Sequence, residues 1–133
     1  ESDKMDEVFK NCDVVIVTIP ATKKTLGIIN KDKFKIMKDG SVFINVGRGN
    51  IVNEKDLIKY INKFRGVALD VFENEPLDKN SKLWEFDNVI ITPHNSWVSD
   101  KNEERTFNMI YNNLKNYIEN KPLKNMIDIS KGY

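Results

Sequence analysis

Apolar residues along this chain gather into short dense runs, separated by stretches in which the apolar positions recur at helical spacing. Four runs read as strands: residues 13–19, closed by Pro20; residues 41–45; residues 66–70; and Val89-Ile90-Ile91. None alternates with polar residues, the pattern of strands buried on both faces in a parallel sheet. Ser2 caps a helix carrying Met5, Val8 and Phe9, which breaks at Asn11-Cys12. Asn30 caps a second, with Phe34, Ile36 and Met37, ended by the Lys38-Asp39-Gly40 turn; Asn53 caps a third, in which Leu57, Ile58 and Ile61 share a face. Residues 22–30 read as a turn with an apolar patch at Leu26, Ile28 and Ile29. A polar loop from Glu73 leads to a short apolar turn at Leu83, Trp84 and Phe86, with Trp84 and Phe86 as core anchors. Ser99 then caps a long helix with Phe107, Ile110, Tyr111, Leu114, Tyr117 and Ile118 on one face, stopped by Lys121-Pro122. Strands alternating with helices predict an α/β domain on a parallel, doubly wound sheet.

The carboxyl end of each expected strand carries something polar. Thr18 lies at the end of the first, Arg48 follows the second within Gly47-Arg48-Gly49, Asp70 ends the third, and the fourth stops at Thr92-Pro93. Proline cannot donate to a ladder and holds the residue before it extended, so the strand finishes at Thr92 and delivers His94, the chain's one histidine, to the loop beyond. Ligands of open α/β sheets bind at that edge.

Length, charge and cysteine content narrow the class. With 133 residues and 40% hydrophobic content the chain makes one domain, or part of one. Its 21 basic and 20 acidic residues are interspersed, so no charged face argues for nucleic acid or membrane as a partner. One cysteine, Cys12, excludes an internal disulfide and fits a reducing compartment, with the cytoplasm as the expectation; Cys12 itself reads as a small buried hydrophobe. The first residue is Glu1, inside a helix-like segment, which points to sequence upstream.

The chemistry follows from the residues at the sheet edge. A histidine works as acid or base near neutrality when a carboxylate orients one ring nitrogen, and Glu75 is the best placed partner. An arginine fork holds a substrate carboxylate by two parallel bonds, and the glycines on either side of Arg48 let its backbone approach a ligand. The set suits reaction at a carbon beside a carboxylate.

Asn45-Val46-Gly47-Arg48-Gly49, then the run from Gly66-Val67-Ala68-Leu69-Asp70 through Glu73-Asn74-Glu75-Pro76-Leu77, then Asn88-Val89 with Thr92-Pro93-His94, resemble the three ordered signature blocks of the D-isomer-specific 2-hydroxyacid dehydrogenases. Residues 13–20, with Thr22 and Thr25, resemble the block that precedes them. The resemblance implies a partial Rossmann-like domain and hydride transfer between NAD, with NADP also open, and C2 of a 2-oxo or D-2-hydroxy acid. His94 would exchange the substrate proton, Glu75 would support the ring, and Arg48 would bind the carboxylate and polarise the carbonyl. Asp70 would hold the nicotinamide carboxamide with the backbone at Val46 and Gly47, while Thr18, Ile19 and Pro20 line the dinucleotide cleft beside Arg48 and His94. No metal belongs to this set, and the intact enzyme is expected to be a homodimer.

Two departures qualify the resemblance. No GxGxxG occurs in the sequence, so the pyrophosphate cradle is absent, and so is a substrate domain. Residues 1–98 are therefore expected to be the carboxyl-terminal part of the cofactor domain, and 99–133 a helix and tail that pack back on the substrate domain, in a fragment inactive by itself. Asn95-Ser96-Trp97 stand where the family has small residues, with Trp97 either narrowing the substrate pocket or packing. The rival from another class is a dinucleotide-sensing, corepressor-like regulator on the same scaffold. Formate oxidation is disfavoured because those enzymes carry glutamine at the position of Glu75.

Overall fold

The computed structural model describes residues 2–130, with side chains from Lys4 onward. By its internal contacts the chain divides into two compact units, 1–96 and 97–133. In chain order the first holds α1 (Ser2–Asn11), β1 (Val14–Val17), α2 (Lys31–Ile36), β2 (Val42–Asn45), α3 (Glu54–Tyr60), β3 (Gly66–Leu69) and β4 (Val89–Ile91), with short 3-10 turns at Gly49–Ile51, Ile61–Lys63 and Lys82–Glu85. The second holds α4 (Asn102–Ile118).

Two of the expected caps form. The Asn30 side chain accepts the Asp32 amide at 2.9 Å, and that of Asn53 accepts the Asp56 amide at 2.9 Å, each meeting an N–H that the helix itself cannot. The cap expected of Ser2 falls on a side chain outside the described residues. Ser99 does not cap α4: the helix begins later, with Lys101 at the cap position and no side-chain cap bond. Instead the Ser99 hydroxyl meets Oδ1 of Asn102 at 3.2 Å, while Nδ2 of Asn102 donates to the Trp97 carbonyl at 2.7 Å, so a local turn consumes the groups a cap would use.

The strands are all parallel in the order β1-β2-β3-β4, and their register aligns Val17, Asn45, Leu69 and Ile91 in one row. One face is covered. Phe9, Phe34 and Leu57 from the helices join Val15, Phe43, Val67 and Leu69 in a common core. Phe34 and Phe43 are wholly buried and meet edge to face with ring centroids 5.4 Å apart; Phe64 lies 6.1 Å from Phe34. Each such ring contributes about 2–3 kcal/mol by burial, and the edge contact adds about 1 kcal/mol.

The other face corrects the expectation of strands buried on both sides. In β1 exposed and buried residues alternate, leaving Val14 at 47% and Ile16 at 57%, and Ile90 in β4 is 66% exposed. The strand order runs in a single direction, so right-handed crossovers place α2 and α3 on one side of the sheet. β1 also spans only Val14–Val17, short of the 13–19 that its apolar run suggests. An isolated parallel bridge between Ile29 and Val52 joins the 22–30 segment to the approach to α3.

Within the second unit no residue of α4 is buried, and its apolar stripe lies open, with Phe107 at 67% and Tyr117 at 72%. The tail folds back on the helix through Asn113, which accepts from the Lys124 amide at 2.8 Å and donates to its carbonyl at 3.0 Å.

Two glycines separate packing from conformational need. A Cβ on Gly49 would sit 1.8 Å from the Phe72 carbonyl oxygen, whereas one on Gly40, at φ +75°, would meet nothing within 4 Å. Gly40→Ala should cost about 1–2 kcal/mol through backbone strain alone. Gly49→Ala must push two backbones apart and should cost more than about 4 kcal/mol. Urea unfolding of both variants checks this, and equal losses would contradict it.

Candidate active site

The register decides which residues meet. Beyond the aligned row Val17, Asn45, Leu69 and Ile91, the next positions are Thr18, Val46, Asp70 and Thr92, so the four strand ends open onto one edge. Thr18 and Pro20 are exposed there, and Ile19 and Val46 are half-buried. Arg48 is exposed three residues past β2, and its Nη1 donates to the Gly47 carbonyl at 2.7 Å.

The glycines around Arg48 are also required by the packing of the protein's own main chain. A Cβ on Gly47 would lie 3.0 Å from the Ile19 carbonyl oxygen, so the ends of β1 and β2 need that space. Gly49 lies far closer to the Phe72 backbone, where a Cβ would overlap the carbonyl at 1.8 Å. The main chain on either side of Arg48 thereby meets the loop after β1 and the loop that carries Glu75, while Arg48 itself is exposed.

Glu75 and His94 form a direct pair, with Oε2 of Glu75 2.7 Å from Nδ1 of the imidazole. The other carboxylate oxygen accepts the Phe72 amide at 3.0 Å, so Glu75 is fixed at both ends. Burial pushes its carboxyl up, but the hydrogen bonds from His94 and Phe72 outweigh that and hold it below the usual range. A carboxylate on Nδ1 orients the ring and leaves Nε2 as the atom for proton exchange. Beside the pair lies a largely apolar cavity of about 460 Å³, whose walls include Leu77, Trp84, Pro93 and His94. Trp84 is therefore no core anchor: it is 54% exposed, lines this cavity, and donates Nε1–H to the Asp78 carbonyl at 3.0 Å.

Asp70 does something the sequence did not announce. It is 2% exposed, and its Oδ1 accepts the Thr92 hydroxyl at 2.5 Å and the Asn95 amide at 2.9 Å, while Oδ2 accepts the Ser96 amide at 2.9 Å. These bonds clasp both sides of His94, whose φ of +52° lies in the left-handed region that a side-chain-bearing residue enters at a cost. Burial raises the Asp70 pKa, and the hydroxyl and amide donors more than reverse it, to about 2. Sequence reasoning picked out Asp70 as a ligand contact and missed Thr92, Asn95 and Ser96 as its partners. Two of those donors are backbone amides, which no residue pattern reveals.

Because folding depresses the Asp70 pKa, its contribution is present above the unfolded value near 3.8 and is lost as pH falls from about 4 toward 2. Asp70→Asn should therefore lower stability at pH 7 by roughly 2–4 kcal/mol and flatten the loss of stability between those pH values, as read by thermal melts across pH. An unchanged acid profile would count against the clasp. Separately, His94→Ala should move the Glu75 carboxyl upward in a carboxyl-carbon NMR titration, because the hydrogen bond that lowers it is gone.

Comparison with known proteins bears out the resemblance. Residues 1–96 match the family described as D-isomer specific 2-hydroxyacid dehydrogenase, NAD binding domain. A glyoxylate reductase of Pyrococcus furiosus is 38% identical over 112 residues, 83% of this chain and 33% of that protein. A hydroxypyruvate reductase of Blautia hydrogenotrophica is 34% identical over 90% of this chain and 38% of its own length. Among solved structures, a D-isomer specific 2-hydroxyacid dehydrogenase of Xanthobacter autotrophicus Py2, in complex with NADPH and MES, superposes with a TM-score of 0.89 at 32% identity, covering 98% of this chain and 54% of that one. The chain thus spans between a third and two fifths of these two curated relatives. With its parallel sheet, its ordered motifs and this match in hand, the chain belongs to the D-isomer specific 2-hydroxyacid dehydrogenases, residues 1–96 corresponding to their NAD-binding domain.

Proposed function

We propose that the whole protein reduces a small 2-oxo acid to a D-2-hydroxy acid, and runs the reverse, with NAD or NADP as the redox partner. The observation that carries this reading is the 2.7 Å contact between Nδ1 of His94 and Oε2 of Glu75 at the carboxyl edge of a parallel sheet. In reduction the protonated His94 ring gives its proton to the carbonyl oxygen of the substrate, and the Glu75 carboxylate stabilises the ring while it is charged. Arg48 binds the substrate carboxylate and draws charge toward the carbonyl oxygen as it becomes negative. Oxidation uses the same groups in the opposite sense.

The residues fit the nicotinamide end of a dinucleotide. Thr18, Ile19, Pro20 and Val46 form an accessible rim of small polar and apolar surface, with the Gly47 backbone, Arg48 and His94 beside it. Asp70, at the end of β3, is the residue proposed to meet the carboxamide, with its buried carboxylate already taking the Thr92 hydroxyl, the Asn95 and Ser96 amides and the Ser96 side chain. For the pyrophosphate the sequence offers no glycine-rich cradle. When bound, the nicotinamide supplies or accepts the hydride.

The names of the relatives make glyoxylate and hydroxypyruvate the substrates to try first. The open stripe on α4 and the uncovered sheet face at Val14, Ile16 and Ile90 support packing against further protein, with α4 on the substrate domain and the whole enzyme a homodimer. The cytoplasm is the proposed compartment, supported by the single cysteine. Among the described residues no helix is long and apolar enough to cross a membrane.

In the whole protein, His94→Ala should lower kcat for glyoxylate reduction by about 100- to 10,000-fold, measured as loss of NADPH or NADH absorbance. Full turnover in that variant would overturn the reading.

A further inference from the structure

Asn45 ends β2 with a polar side chain in a row that is otherwise apolar. Its register neighbours are Val17 and Leu69, and it is 1% exposed. Burying a primary amide is unfavourable unless its donors and acceptor are met. Here both ends of the amide are used: Oδ1 accepts the Gly47 amide at 3.1 Å, and Nδ2 donates to the Arg48 carbonyl at 3.2 Å.

Both bonds stay within residues 45–48, so they join no distant parts of the core. A valine would fill much of the same space and suit a strand better. What the amide does is close the turn that carries Arg48. The Gly47 peptide, held by its N–H, presents its carbonyl to Nη1 of Arg48 at 2.7 Å. The carbonyl and the guanidinium of Arg48 therefore both trace back to one buried side chain.

The backbone around the turn is already anchored. The Asn45 carbonyl accepts the Asp70 amide at 3.0 Å, the Val46 amide donates to Val17 at 3.1 Å, and Gly49 abuts Phe72. The Arg48 carbonyl also accepts the Ile51 amide at 3.4 Å, and the Asn45 amide adds the two bonds that hold the peptides between 46 and 48 from within the sheet.

We propose that Asn45 is a positioning residue for Arg48, setting the direction in which the guanidinium meets a substrate carboxylate. The inference rests on the role given to Arg48 above. Asn45→Val deletes both bonds. Asn45→Asp keeps the acceptor for Gly47 but sets a carboxylate oxygen against the Arg48 carbonyl and a negative charge near its guanidinium.

The test is steady-state reduction of glyoxylate by the whole protein with Asn45→Val, Asn45→Asp, Arg48→Ala and the double variant Asn45→Val/Arg48→Ala. Both Asn45 variants should raise KM for glyoxylate about tenfold or more, the cost of one misdirected charged hydrogen bond, and lower kcat in the same sense as Arg48→Ala, with KM for NADPH little changed. The double variant should be no worse than Arg48→Ala alone. If Arg48→Ala raises KM while the Asn45 variants do not, or if the effects multiply in the double variant, the positioning role is overturned. If Arg48→Ala leaves KM unchanged, the role of Arg48 fails, and that of Asn45 falls with it.

A measurement without substitution guards against variants that do not fold. In the 15N-labelled protein the Nε–H of Arg48 should be as rigid as the backbone, with an order parameter of roughly 0.8, and a value below about 0.6 would overturn the proposal.

Discussion

The Asp70 carboxylate, 2% exposed at the end of β3, is the interaction on which the site depends. Its donors come from both sides of His94, Thr92 before it and the Asn95 and Ser96 amides after it. A left-handed residue other than glycine persists only where its surroundings over-determine it, and three bonds to one charge do so. With the loop fixed, the imidazole stays within reach of Glu75, and Glu75 in turn is tied to the Phe72 amide. The ring is thus held by a chain of contacts running through β3 and the loop after it, where mobility in any one link would blur the geometry.

Backbone proximity is the second constraint. Gly47 and Gly49 flank Arg48, and each lets another main chain come close: Ile19 on one side, Phe72 on the other. Those contacts join the loop after β1, the turn after β2 and the loop after β3. Each of these segments carries residues proposed for cofactor or substrate, so packing and function share the same positions. The missing side chain at Gly47 and Gly49 is thus needed by the protein's own main chain.

The sheet explains why its strands are apolar on both sides yet covered on one. Phe43 and Val67 meet the helices, while Val14, Ile16 and Ile90 do not. The absence of alternation in the sequence reports the composition of each strand, which is set by everything that the strand ever packs against. Coverage depends on where the crossovers run, and the order β1-β2-β3-β4 sends them to one side. The same distinction holds in α4, whose stripe from Phe107 to Tyr117 has the spacing of a packing face and none of its residues buried.

Local physics was legible in the residues. The apolar runs located the four strands, the Asn30 and Asn53 caps located two helix starts, and Pro93 located the end of β4, because each depends on neighbours a few positions away. The ends of those apolar runs were enough to place Arg48, Asp70 and His94 at or just beyond strand ends. Ser99 was misleading because its hydroxyl had a competing partner in Asn102, a choice that propensity does not register. Only the folded chain decided that Asp70 would grip the amides of Asn95 and Ser96, that Asn45 would close the Arg48 turn, that Trp84 would line a cavity, and that His94 would be left-handed. Backbone amides are the same at every residue, so the sequence carries no mark of which ones a buried carboxylate will find. That is settled when the parallel register brings residues twenty-five positions apart to one edge.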